Sequence, residues 1–137
     1  MNTSSCDIEI RVRYAETDRM GYVHHSRYFV YLEMGRTELL RQAGIAYRDL
    51  EDAGVFFVVA KLSARFVAPA RYDDLLILTT EVKRMTTARI DHVYKLRRKQ
   101  TGELLSEAET TLACVDAQGQ IIPIPDFVRA THVEEQP

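Results

Sequence analysis

The chain has only two cysteines, Cys6 and Cys114, among its 137 residues, too few for a disulfide framework. It has no apolar run near the roughly 20 residues that a helix needs to span a bilayer. The segment Met1-Asn2-Thr3-Ser4-Ser5-Cys6 lacks the apolar core of a secretion signal, so a cytoplasmic protein is the expectation. An excess of charge of one sign is missing as well. A net charge of −2 gives no general attraction for nucleic acid or an anionic membrane. There is no internal repeat, low-complexity tract or linker. What is left is a composition of 46% apolar and 28% charged residues, that of an ordinary folded domain able to bury a core. The expectation is one domain over residues 1–137, with its core at about 8–128 and flexible tails. Cys6 is expected in a frayed tail. Cys114, within Leu112-Ala113-Cys114-Val115, reads as a small buried side chain.

Periodicity sets out the elements. Ile8, Ile10, Val12 and Tyr14 alternate with Glu9, Arg11 and Arg13, the pattern of a half-buried strand over residues 8–14. Residues 26–43 read as the longest helix. Tyr28, Tyr31, Leu32, Gly35, Leu39 and Ala43 fall at helical spacing, with Ser26 suited to cap its start and Gly44 its end. Tyr28, Tyr31 and Met34 read as core. Gly35 weakens the helix by about 1 kcal/mol relative to alanine, which a close contact with the sheet would explain. A short helical turn over 47–53 ends at Gly54.

The rest reads as sheet: residues 55–66, 75–83, the alternating set Ile90, His92, Tyr94 and Leu96, and 104–115. Turns are marked by Pro69 with Tyr72-Asp73-Asp74, by Thr101-Gly102 and by Gln118-Gly119. Pro123 and Pro125 exclude a regular central strand beyond. One strand, one long helix and then four strands make an α+β fold: an antiparallel sheet of about five strands wrapped around one long helix.

The chemistry concentrates in Thr17-Asp18-Arg19-Met20-Gly21-Tyr22-Val23-His24-His25-Ser26-Arg27. Asp18 follows a strand and precedes a helix. Such a pattern also suits a plain turn, since aspartate bonds its own local backbone. A carboxylate facing a helix N-terminus has chemical potential, however. The helix end offers unpaired N–H donors to an oxygen gaining negative charge, and the carboxylate attacks a carbonyl or activates water. Gly21 allows a positive φ or a close substrate approach. Adjacent histidines usually point apart, and no further ligand stands at a familiar spacing from His24 and His25, so no metal is expected. One of the two is expected at the helix head and the other along a substrate channel. His92 reads as a residue of the sheet and His132 as part of a polar tail. Arg84, Arg89, Arg97, Arg98 and Lys99 read as a solvated strand face, with coenzyme A phosphates as the functional alternative.

The run Arg13-Tyr14-Ala15-Glu16-Thr17-Asp18-Arg19-Met20-Gly21-Tyr22-Val23-His24-His25-Ser26-Arg27-Tyr28 resembles that of the hotdog-fold thioesterases, in particular the 4-hydroxybenzoyl-CoA thioesterase and YbgC-like group. Glu33-Met34-Gly35-Arg36-Thr37-Glu38-Leu39-Leu40 and Phe66-Val67-Ala68-Pro69-Ala70-Arg71-Tyr72-Asp73-Asp74-Leu75 carry the likeness further. The resemblance implies a hotdog fold and hydrolysis of an acyl-CoA thioester, or one on acyl carrier protein. It implies Asp18 as the catalytic carboxylate and the backbone N–H of His25 as donor to the thioester carbonyl. His24 and Tyr28 are the expected substrate contacts, although the group often has a tyrosine where His24 stands. It also implies homodimers or homotetramers with sites at subunit boundaries, and no metal or organic cofactor; neither nucleic acid nor a membrane is an expected partner on the composition. The competing readings are a hotdog hydratase or dehydratase, for which Glu33 and Glu38 would supply acid–base groups, and a non-catalytic acyl-CoA-binding protein.

Overall fold

Apolar residues at every second position set the inner face of a five-stranded sheet. The structure, a computed structural model, describes residues 4–132. Residues 1–3 and 133–137, which belong to the expected tails and to the segment read for a secretion signal, lie outside that range. The strands are β1 (Ser5–Arg11), β2 (Phe56–Phe66), β3 (Leu75–Met85), β4 (Arg89–Arg98) and β5 (Leu104–Val115). Their order is β1-β3-β4-β5-β2, with every neighbouring pair antiparallel. In register, Ile8 faces Leu78, Leu78 faces Leu96 and Tyr94 faces Ala108, so the buried alternation continues from strand to strand. Bulges interrupt β2 between Val59 and Lys61 and β3 between Val82 and Arg84. Such extra residues bend a strand and increase its twist.

The bent sheet wraps α1 (His25–Gln42). This helix buries Tyr28, Tyr31, Leu32, Gly35 and Leu39, a stripe at the spacing of one helix face. Gly44, at φ 87°, ends it in the left-handed conformation that glycine adopts freely. The N-terminal half of α1 packs on a cluster that includes Ile10, Val12, Leu76, Leu78, Tyr94 and Leu96. Beyond its C-terminal half lies a second cluster, including Leu50 of α2 (Tyr47–Asp52), Met85, Ile90, Cys114 and Val128 of α3 (Asp126–Arg129). No helix among the described residues is long and apolar enough to cross a membrane.

Several expectations are corrected. β1 spans Ser5–Arg11 rather than 8–14, and Tyr14 is 77% exposed instead of sharing the buried face. The chain leaves the sheet because Tyr14–Glu16 forms one 3-10 turn, closed by the Glu16 carboxylate on the Arg13 N–H. Cys6 is buried in β1 rather than frayed, with its thiol on the carbonyl of Gly35. Burial, followed by the charges of Glu38 and Asp7, pushes that thiol up to about 11. His24, not Ser26, caps α1, its ring accepting from the Ser26 N–H. Met34 is exposed rather than core. His132 is half-buried, with neither ring nitrogen hydrogen-bonded among the described residues, rather than part of a solvated tail. The α3 turn has no counterpart in the sequence reading.

Gly35 explains itself. A Cβ there would stand 2.8 Å from Leu78 Cδ2 and closer still to Thr80 Oγ1. Helix and sheet meet where one of them has no side chain. Gly35→Ala should therefore destabilise the fold despite alanine's better helix propensity. Overpacking of about 1–3 kcal/mol outweighs a gain of about 1 kcal/mol. A lowered urea midpoint with an unchanged denaturant slope would register it.

Candidate active site

The segment between β1 and α1 is fastened at its base by a buried acid. Glu16 is 4% exposed. Its carboxylate accepts from the Arg13 N–H at 2.8 Å, from the Tyr31 hydroxyl of α1 at 3.0 Å and from the Arg13 guanidinium at 3.3 Å. Burial by itself would raise the Glu16 pKa. These donors outweigh it and hold the group below the ordinary glutamate value. The Glu16 carbonyl in turn accepts from the His24 N–H at 2.9 Å, so one residue locks both ends of the intervening loop.

That loop is a small hairpin. Thr17 bridges Val23, and the Asp18 N–H reaches the Tyr22 carbonyl at 2.8 Å. Gly21 takes φ 78° with nothing near its missing Cβ, so it serves the turn. The hairpin is stitched to residues 70–72. The Val23 N–H donates to Ala70 O at 2.8 Å, the Tyr72 N–H donates to Gly21 O at 3.1 Å, and Arg71 lies over the Tyr22 ring. Arg98 braces this second loop, binding Asp74, Glu103 and the carbonyl of Pro69.

Asp18 stands exposed at the top of the hairpin. Its Oδ1 accepts from Met20 N–H at 2.9 Å and Tyr22 N–H at 3.2 Å. The turn-forming role is therefore real, and it fixes the carboxylate in place. Oδ2 accepts no hydrogen bond among the described residues. At the head of α1, Nδ1 of His24 accepts from the Ser26 N–H at 3.2 Å and lies 2.9 Å from the Ser26 hydroxyl. The His24 carbonyl takes the Arg27 N–H. The N–H of His25 has no acceptor among the described residues, as expected of the first amide of a helix. The His24 and His25 rings do not diverge as expected but lie side by side, with centroids 4.1 Å apart and planes tilted by 31°. Tyr28, one turn further along α1, is buried, with its hydroxyl accepting from the Ala70 N–H at 3.4 Å. Burial raises its pKa, and the Asp18 charge adds to the rise. The four residues singled out from sequence thus fall within one end of α1 and the hairpin beside it.

Most of the basic set is neutralised. Arg84 pairs with Asp91, Arg98 with Asp74 and Glu103, and Lys99 with Glu9, as a solvated strand face does. Sequence reading missed Glu16 and Arg98 as anchors. A glutamate in a charged, exposed-looking run signals burial only once Tyr31 is known to face it.

The chain from Val12 to Thr131 matches the thioesterase-like superfamily model over residues 12–131. The chain belongs to that superfamily. It is 36% identical to the acyl-CoA thioester hydrolase YbgC of Escherichia coli over 116 residues, covering 85% of this chain and 86% of that protein. Among solved structures it is similar to a hypothetical protein of Thermus thermophilus, with 40% identity, a TM-score of 0.85 and coverage of 91% and 95%. It is also similar to a DHNA-CoA thioesterase of Staphylococcus aureus, with 27% identity, a TM-score of 0.87 and coverage of 92% and 87%. The hotdog fold expected of this superfamily is the fold observed.

A second feature of this superfamily member lies at the far end of α1. A cavity of about 420 Å³ opens there, containing neither Asp18 nor His25 in its wall. His92 lines it and is 5% exposed. Burial first, then the charge of Arg36, brings its pKa down to about 3. In the unfolded chain the same ring titrates near 6.5, so between these values the unfolded state binds more protons and stability rises with pH. The contribution is complete above about 6.5 and is lost as pH falls towards about 3. His92→Phe should flatten this part of the stability curve, seen in urea unfolding at a series of pH values. Glu16→Ala, which strands the Tyr31 hydroxyl and the Arg13 N–H, should cost about 1–3 kcal/mol in the same measurement at neutral pH.

Proposed function

We propose that the protein hydrolyses an acyl-CoA thioester to the free acid and coenzyme A, with Asp18 as the reactive carboxylate. What supports this reading is that a fixed carboxylate and an unpaired helix-head amide occur on one short segment, residues 18–25. Asp18 Oδ1 is held by two backbone N–H groups while Oδ2 is left without one. The His25 N–H begins an 18-residue helix with no acceptor of its own. The names of relatives such as YbgC support thioester chemistry.

In the reaction, the substrate carbonyl oxygen takes the His25 N–H. The helix N-terminus stabilises the negative charge that develops there. Asp18 then either attacks the carbonyl carbon, giving an anhydride that water cleaves, or draws a proton from an attacking water. In both routes the carbon–sulfur bond breaks and coenzyme A leaves as a thiolate, a group that needs no strong acid to depart. His24, with Nδ1 committed to Ser26, offers its remaining ring nitrogen as a substrate contact, and Tyr28 serves as a second one.

The exposure of Asp18 in a single chain fits a site completed at a subunit boundary. β2 ends the sheet with one unpaired edge and shows Val58 and Val59 nearly half exposed. Such an edge is a ready place for a second copy to join, which supports a homodimer or a homotetramer built on it.

Asp18→Asn should abolish release of thiol from acyl-CoA, by at least about 10²-fold in kcat, with an unchanged thermal unfolding curve. Parental turnover in that variant would remove Asp18 from the mechanism. A panel of CoA thioesters of differing length and aromaticity, assayed on the parent, identifies the acyl group.

A further inference from the structure

Within the curve of the sheet, the far half of α1 covers a set of polar groups that the proposed hydrolysis does not use. The cavity of about 420 Å³ is within the usual range for a small-molecule site. Its walls are apolar, with Leu40, Val82, Met85, Ile90 and Val128 among them. Polar side chains also line it, among them Glu33, Thr37, Tyr47 and Thr131, and two more bear on its ligand, His92 and Arg36. His92 projects from the inner face of β4, and its buried Nδ1 has no hydrogen-bond partner among the described residues. Arg36, half-buried on α1, donates from Nη1 to the Tyr94 hydroxyl at 3.4 Å, and Tyr94 in turn meets Thr110 at 2.6 Å. None of the ion pairs of the described residues includes Arg36. Its Nε and Nη2 have no acceptor there.

An unpartnered imidazole nitrogen and an unpaired guanidinium are costly in apolar surroundings. The space is far larger than the roughly 10–15 Å³ that one water requires. Glu33 also lines the cavity, three residues before Arg36 on the helix, but it is exposed and forms no ion pair with Arg36. No acid among the described residues meets this charge, and a bound anion would. A planar guanidinium fork matches a carboxylate. The neutral His92 ring adds one hydrogen bond to the second oxygen, and the apolar walls take a hydrocarbon body.

We propose that this cavity binds an amphipathic monocarboxylic acid, with its carboxylate on Arg36 and His92 and its apolar part among Leu40, Val82 and Met85. Arg36 lies eleven residues along α1 from His25, about 16 Å at the helical rise, so the site is distinct from the Asp18 end and does not rest on the hydrolytic reading.

Calorimetric titration of the unaltered protein with decanoate and with decanol tests the carboxylate directly, because the two share a hydrocarbon body. Decanoate should bind at least about tenfold tighter, and Arg36→Met should bring the two affinities together. The imidazole ¹⁵N resonances of His92 should move on saturation with decanoate, while those of His24 and His25 stay in place. Equal binding of acid and alcohol, no binding of either, or movement confined to His24 and His25 would overturn the proposal. The last result would place the acid at the Asp18 end and leave the thioesterase reading intact.

Discussion

The buried carboxylate of Glu16 is the contact on which the arrangement of the proposed reacting groups rests physically. A charged oxygen pair inside a small domain survives only if its lone pairs are met. Here the donors come from three places: the backbone just after β1, a guanidinium beside it and the hydroxyl of Tyr31 on the central helix. Through its carbonyl, the same residue receives the amide that precedes α1. The loop bearing Asp18 is therefore pinned at its base to the central helix. A turn held only by its own hydrogen bonds would leave the carboxylate free to wander by more than catalytic geometry tolerates.

The outline of the fold was readable because its signals are local. Alternation in residues 90–96, the Thr101-Gly102 turn and the uninterrupted run to Val115 required nothing from elsewhere in the chain. The strand from Leu104 to Val115 matches its expected limits, and α1 matches within a residue at each end. Gly35 was readable for the same reason: a glycine inside a strongly patterned helix asks for a close neighbour, and Thr80 and Leu78 supply it. Failures came where a tertiary contact overrides the pattern. Tyr14 continues the alternation of β1, yet the Arg13–Glu16 hydrogen bond turns the chain away before it. Ser26 is a better cap than histidine by propensity, but the ring of His24 reaches the Ser26 amide first. The strand order, with β2 beyond β5, carries no local mark at all.

The site divides in the same way. Asp18, Gly21 and the helix head were legible as a motif. Glu16 and Arg98 were not, since their importance lies in which distant groups they meet. His92 reads correctly as a sheet residue, but its lost basicity depends on the cavity and on Arg36, which sit together only in three dimensions. α1 thus has two dissimilar ends. One is open, with amides and a surface carboxylate. The other is enclosed, with a cation and an imidazole kept neutral by desolvation.

The burial of both cysteines has a practical side. Cys114 is fully enclosed and Cys6 nearly so, and desolvation keeps each thiol protonated well into the alkaline range. The thiolate is the form that reacts with electrophiles and oxidants, so the native chain holds almost none of it at neutral pH. A chromogenic disulfide reagent added to the folded protein consequently meets two slowly reacting thiols, against which thiol released from a substrate stands out.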